Sequence, residues 1–157
     1  MEILLTKKEN NQNLLSCKRK DGSVTWKKIT PFFVLHDICH YVVEKTIPLK
    51  NAFYGMVAAG TAISDFELPK DNRNFILTEE AIYAEHLVNL LTIEYGQGKM
   101  DNLAEVFTEI CKKQFSPALQ ELLNKEKLDA VRQIHKKLMD QWNSLPEKES
   151  MRLNFEE

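Results

Sequence analysis

Hydrophobic and polar residues alternate over the first thirty positions of the chain, and beyond them the apolar positions recur every three to four residues. Three runs carry the alternation, marked by Ile3 and Leu5, by Leu15 and Cys17, and by Val24 and Trp26; a period of two is the signature of strands with one wet and one dry face. Between the second and third runs stands Lys20-Asp21-Gly22-Ser23. Asp21-Gly22 suits a two-residue type I′ turn, because both central residues of that turn need positive φ. This closure sets Cys17 opposite Trp26 and predicts a small antiparallel meander with Lys18, Lys20 and Lys27 on or near its wet face.

From Thr30 the rhythm is helical. Thr30-Pro31 reads as N-cap and first helical residue, Leu35, Ile38, Cys39, Val42 and Val43 fall on one arc, and Pro48 ends the element. A second helix is predicted over about residues 51–63, with Ala52, Gly55, Ala59 and Ala62 as a small-residue face, and then a loop over 64–74. Thr78, Glu79 and Glu80 mark the next start, since the hydroxyl caps free amides and the acids complement the helix dipole; Gly96 and Gly98 stop that helix after Tyr95. Further helices are expected from Asp101 to near Gln114, from Ser116-Pro117, and over 126–142, closed by Pro146. Met151, Leu153 and Phe155 return to period two and form a strand able to extend the N-terminal sheet. The expected fold class is therefore α+β: an antiparallel meander, closed by the C-terminal strand, packed with a bundle of five to six helices in one domain spanning 1–157.

Composition narrows the function classes. At 157 residues and 43% hydrophobic the chain supports one ordinary core. A formal charge of −2 gives no strong whole-molecule attraction to nucleic acid or an anionic membrane, although residues 1–30 carry a balance of +4. Lys18, Arg19, Lys20, Trp26, Lys27 and Lys28 form the one basic and aromatic cluster, and lysines on a small sheet commonly serve to block edge pairing, so no nucleic-acid partner is expected. Cys17, Cys39 and Cys111 are odd in number and lack a CxxC pair, which argues against a disulfide framework and a cysteine zinc site. The longest apolar stretch covers twelve residues, where a spanning helix needs about 20, so no membrane partner is expected either. With no signal-like start, these features read as a cytoplasmic protein.

The candidate chemistry lies in Val34–Lys45, where His36, Asp37, His40, Tyr41 and Glu44 share nine positions of a chain with four histidines. Residues four apart on a helix stand about 40° apart and about 6 Å along the axis, so the His36 and His40 rings can reach one ion. The zinc motif HExxH uses the same spacing for the same reason. Glu44 lies a further turn away and cannot join both histidines on one ion without a kink. A third ligand is therefore expected from elsewhere: Glu85, on the polar stripe of Glu85, Asn89 and Thr92, is the first choice and His86 the second. The expected ion is divalent, zinc first, with iron or manganese as alternatives, and Asp37 or Glu44 would move a proton for hydrolysis of a small-molecule substrate. Against this stands a plainer reading, in which Asp37, Tyr41 and Glu44 are a solvated helix face and the histidines bond neighbours. His135, beside Lys136 and Lys137, reads as surface.

The segments around 35–44, 53–60 and 64–69, LHDICHYVVE, FYGMVAAG and SDFELP, resemble a family of small uncharacterised bacterial proteins that share an HDxxHYxVE helix after an N-terminal hairpin ending in a tryptophan strand. That resemblance spans most of the chain and implies no particular activity. The shorter HDxxH element is also similar to a metal-associated signature of a ubiquinone-biosynthesis family, whose following glutamate falls here on Ala52. The HD phosphohydrolase pattern needs a histidine upstream, and none precedes His36. A non-enzymatic helical module is the alternative, in which the small-residue face of 51–63 and the helix 126–142 would serve a homodimer.

Overall fold

Strands β1 (Glu2–Thr6), β2 (Asn13–Lys18), β3 (Val24–Ile29) and β4 (Ser150–Asn154) form one antiparallel sheet in the order β3-β2-β1-β4 in a computed structural model that describes residues 1–156. Leu5 pairs with Met151 and Ile3 with Leu153, so the last strand closes the meander as the alternation predicts. Ile3, Leu5, Leu15, Cys17, Met151 and Leu153 are buried on one face, beneath the helices. With this sheet and six helices the fold is α+β.

One expectation about the sheet is corrected. Cys17 pairs with Thr25, and Trp26 pairs with Ser16. The hairpin closes on three residues instead of two: Gly22 N–H donates to Arg19 C=O at 3.0 Å, Arg19 N–H donates to Ser23 C=O at 2.9 Å, and Gly22 alone in the loop takes positive φ, +87°. This is a type I turn followed by a glycine bulge, favoured here because Asp21 accepts locally from the Ser23 amide and hydroxyl and keeps negative φ. Shifting a strand by one residue exchanges its faces. Val24 and Trp26 accordingly point outward, while Thr25, Lys27 and Ile29 point in. Lys27, expected near the wet face, is half-buried and paired with Glu67.

Helix α1 (Pro31–Thr46) is the centre of the molecule. It packs against α3 (Glu79–Gln97), α6 (Lys125–Ser144) and the sheet, and every residue from Asp37 to Glu44 is buried. A solvated polar face is thereby excluded. His135 is corrected in the same way: it is 6% exposed, on the arc of Leu128, Val131, Met139 and Trp142, and its Nε2–H donates to the Leu35 carbonyl at 3.3 Å.

Helix α2 (Phe53–Ala58) is shorter than the 51–63 span. Gly60, at φ +121°, stops it with paired bonds from Thr61 N–H to Met56 C=O and from Gly60 N–H to Val57 C=O, the αL-type termination that glycine permits. Of the small-residue face, Ala52 and Gly55 are buried within the chain, where a Cβ on Gly55 would lie 1.8 Å from the Lys50 carbonyl oxygen, while Ala59 is exposed. Residues 64–74 are more ordered than a plain loop, with 3-10 turns at Ile63–Glu67 and Lys70–Asn72. The first of these docks on β3, where the Ile63 amide donates to Thr25 Oγ1 at 3.1 Å.

Thr78 caps α3 by accepting the Ala81 amide and itself donates to the Asn51 carbonyl, which ties the start of α3 to the end of the α1 region. Helices α4 (Leu103–Gln114) and α5 (Pro117–Gln120) complete the bundle. Cys17, Cys39 and Cys111 are free and buried. No helix among the described residues is long and apolar enough to cross a membrane.

Candidate metal centre

Three side chains from two helices meet where α1 and α3 pack. His36 and His40 leave α1 one turn apart with ring centroids separated by 4.7 Å, and the Glu85 carboxylate approaches from α3. Glu85 Oε1 lies 3.6 Å from His36 Nε2, and Oε2 lies 3.1 Å from His40 Nε2. Their ligand atoms fall within 4.8 Å of one another, a cluster able to hold a metal ion. Tetrahedral zinc with bonds of about 2.1 Å needs neighbouring ligands about 3.4 Å apart. The Glu85 oxygens already stand at 3.6 and 3.1 Å from the two imidazoles, close to that spacing.

Behind His40 sits Glu44. Its carboxylate is fully enclosed, accepts from His40 Nδ1 at 3.1 Å, and takes the Tyr54 amide at 2.9 Å. Metal-binding histidines usually donate the second ring N–H to such a carboxylate, which fixes the tautomer and turns the other nitrogen toward the ion. Glu44 therefore belongs to the support of His40 and does not line the cleft. Asp37 does line it, 7% exposed, with Oδ1 3.7 Å from His36 Nδ1, beyond hydrogen-bond distance. Among the described residues His36 Nδ1 is a buried nitrogen with no hydrogen-bond partner. The donor set thus fits a divalent ion on the two Nε2 atoms and Glu85, with one ring already held by a carboxylate and the other beside one.

Electrostatics follow from this packing. Burial pulls the His40 imidazolium down, but Glu44 and Glu85 outweigh it and raise its pKa to about 9. His36 is likewise depressed by burial and raised on balance by Asp37 and Glu85. Glu85, facing His36 and hydrogen-bonded to His40, is held well below the usual carboxylate range. Burial raises Glu44 despite the opposing pull of His40. Without a metal, a proton on His40 therefore bridges the two helices.

The cluster forms one end of a cavity of about 530 Å³. Its remaining wall is largely apolar, from Ile29, Phe33, Phe53, Ile63, Phe66 and Leu77. Lys27, Glu67 and Arg73 add charge, the first two as an ion pair. His86, the second choice for a third ligand, lines the cavity but lies edge-on to Phe115 with ring centroids 5.9 Å apart, outside the cluster. The part of the site missing from the sequence reading is this wall. Phe66 and Arg73 fall in the 64–74 segment read as loop, and the inward turn of Lys27 depends on the hairpin register. His135 had a usable signal, since it keeps the spacing of Val131 and Met139.

Comparison of the chain with family models, with curated proteins and with solved structures finds no match.

Proposed function

We propose that this protein is a divalent-metal-dependent hydrolase of a small molecule, with the ion held by His36 Nε2, His40 Nε2 and Glu85 at the closed end of the cavity. The observation that carries this reading is the chain of contacts Glu44–His40–Glu85: a buried carboxylate orients an imidazole whose free nitrogen faces a second carboxylate and a second imidazole. Zinc suits two imidazoles and a carboxylate with an open position, and the same donors also suit iron or manganese. A bound ion of this kind supplies a water nucleophile near neutral pH and polarises a carbonyl or phosphoryl oxygen. Asp37, in the cavity wall beside His36, would be the group placed to accept a proton there. Glu44, the other candidate from the sequence, instead holds His40 in place.

Elemental analysis of protein purified without an affinity tag, followed by calorimetric titration with zinc, manganese and ferrous iron, tests the reading. About one ion per chain is expected, with binding lost in His36→Ala and Glu85→Ala. Stoichiometric binding that survives both substitutions would overturn the site. Intact binding with no hydrolysis across ester, amide and phosphoester panels would leave a metal-binding protein in place of a hydrolase.

A further inference from the structure

Aromatic rings run from the metal cluster to the Arg73 guanidinium. His40 packs on Phe53 with centroids 5.5 Å apart, Phe53 on Phe66 at 4.8 Å, and Phe66 on Phe75 at 5.0 Å; the Arg73 guanidinium lies 6.0 Å over the Phe75 ring. Phe53, Phe66 and Arg73 all line the cavity, so most of this row belongs to its wall.

The charges along the row differ in how far they are already satisfied. Lys27 is spent on Glu67 and also lies over the Phe33 ring. Arg73 is held by two backbone carbonyls, its Nε–H donating to Leu68 at 2.8 Å and its Nη2 to Phe66 at 2.8 Å, and no carboxylate among the described residues pairs with it. Those two bonds fix the plane of the guanidinium and leave Nη1 without a partner. A guanidinium positioned by backbone and carrying unused donors is pre-organised for a carboxylate or another planar anion. The cavity, meanwhile, is of small-molecule size and offers mostly ring and aliphatic surface between its ends.

We infer that the substrate is an elongated apolar anion: a molecule with a carbonyl-type head at His36, His40 and Glu85, an aliphatic or aromatic body along Phe53 and Phe66, and a terminal carboxylate paired with Arg73. This rests on the metal reading for the head alone. The body and the anionic tail are recognised by residues that need no ion. Sugars and polyamines are disfavoured, the former because the wall offers few hydrogen bonds, the latter because the unpaired charge at the far end is positive.

Two titrations separate the parts. Zinc-loaded protein is titrated with suberic monohydroxamate, whose head binds metal and whose tail is a carboxylate, and with its methyl ester, which lacks the tail charge. Metal-free protein is titrated with decanoate and with decanol. The charged member of each pair is expected to bind about tenfold or more tighter, the scale of one hydrogen-bonded charge contact. Arg73→Gln should erase that preference in both pairs, Arg73→Lys should keep part of it, and Lys28→Gln, on the exposed face of β3 and outside this cavity, should leave it intact. Far-ultraviolet circular dichroism and thermal unfolding check that each variant is folded. Equal binding within both pairs, or a preference that survives Arg73→Gln in a folded protein, would overturn the inference. Loss of hydroxamate binding with a retained, Arg73-dependent decanoate preference would instead overturn the metal reading and keep the anionic ligand.

Discussion

Glu44 is the residue on which the histidine pair depends. An isolated buried charge costs several kcal/mol, and here it is tolerated because His40 and the Tyr54 amide face it. Glu44→Gln should keep the shape and lose the charge that orients His40, so zinc affinity should fall about 10- to 100-fold while the protein stays folded; isothermal titration against the parent protein reads the change. His40→Ala is a poor probe of metal binding for the same reason, since it strands Glu44 and should cost about 3–5 kcal/mol with no metal present. His135 gives a separate test. Burial lowers its pKa in the folded protein, so the unfolded chain, titrating near about 6.5, takes up the proton first. Its contribution to stability is thus complete above about 6.5 and is lost as pH falls below that value. Urea unfolding from pH 7.5 to 5.5 should show a steeper loss in the parent than in His135→Gln, and parallel slopes would refute it. At this scale the sequence made His36 and His40 legible, because helical spacing puts them within reach of one ion, and it offered Glu85 through the polar stripe of a second helix. It did not reveal the burial of Asp37, His40 and Glu44, which depends on how many neighbours close around α1.

At the scale of elements, period and capping residues were enough to read β1, β2, β4, α1 and α3. The failures came where two local solutions lie close together. Asp21-Gly22 fits a two-residue turn and also the end of a three-residue one, and the bonds from Ser23 to Asp21, together with the tertiary partners of Thr25 and Lys27, favour the second. In α2 the apolar run continues past Ala58, but Gly60 turns the backbone away. Gly55 matters for another reason, the passage of the Lys50 carbonyl against its Cα. Gly55→Ala cannot be relieved by a side-chain rotation, because the opposing atom is backbone. It should destabilise the protein by about 3 kcal/mol, at the upper end for overpacking, as measured by urea unfolding; an unchanged midpoint would show that the α1–α2 connection yields freely.

For the whole molecule, the cavity was the least legible feature, since its wall gathers β3, α1, α2, the 3-10 segment and α3 from across the sequence. An ion joining α1 to α3 should raise the melting temperature, with about 2.7 kcal/mol of stabilisation at a hundredfold excess over Kd. Differential scanning calorimetry should show this shift in the parent and lose it in His36→Ala; a shift of equal size in both would place the ion elsewhere. The gain should grow as pH rises toward about 9, because the proton on His40 must leave before Nε2 can serve as a ligand. That proton bridge has a wider consequence. Zinc fingers fall apart when a chelator removes their metal, because the ion is their core. Here the chain has a hydrophobic core apart from the three ligand candidates, and Glu85 and His40 remain hydrogen-bonded without an ion. Chelation is expected to return an intact protein ready to be recharged, which far-ultraviolet circular dichroism before and after chelator treatment and metal re-addition checks.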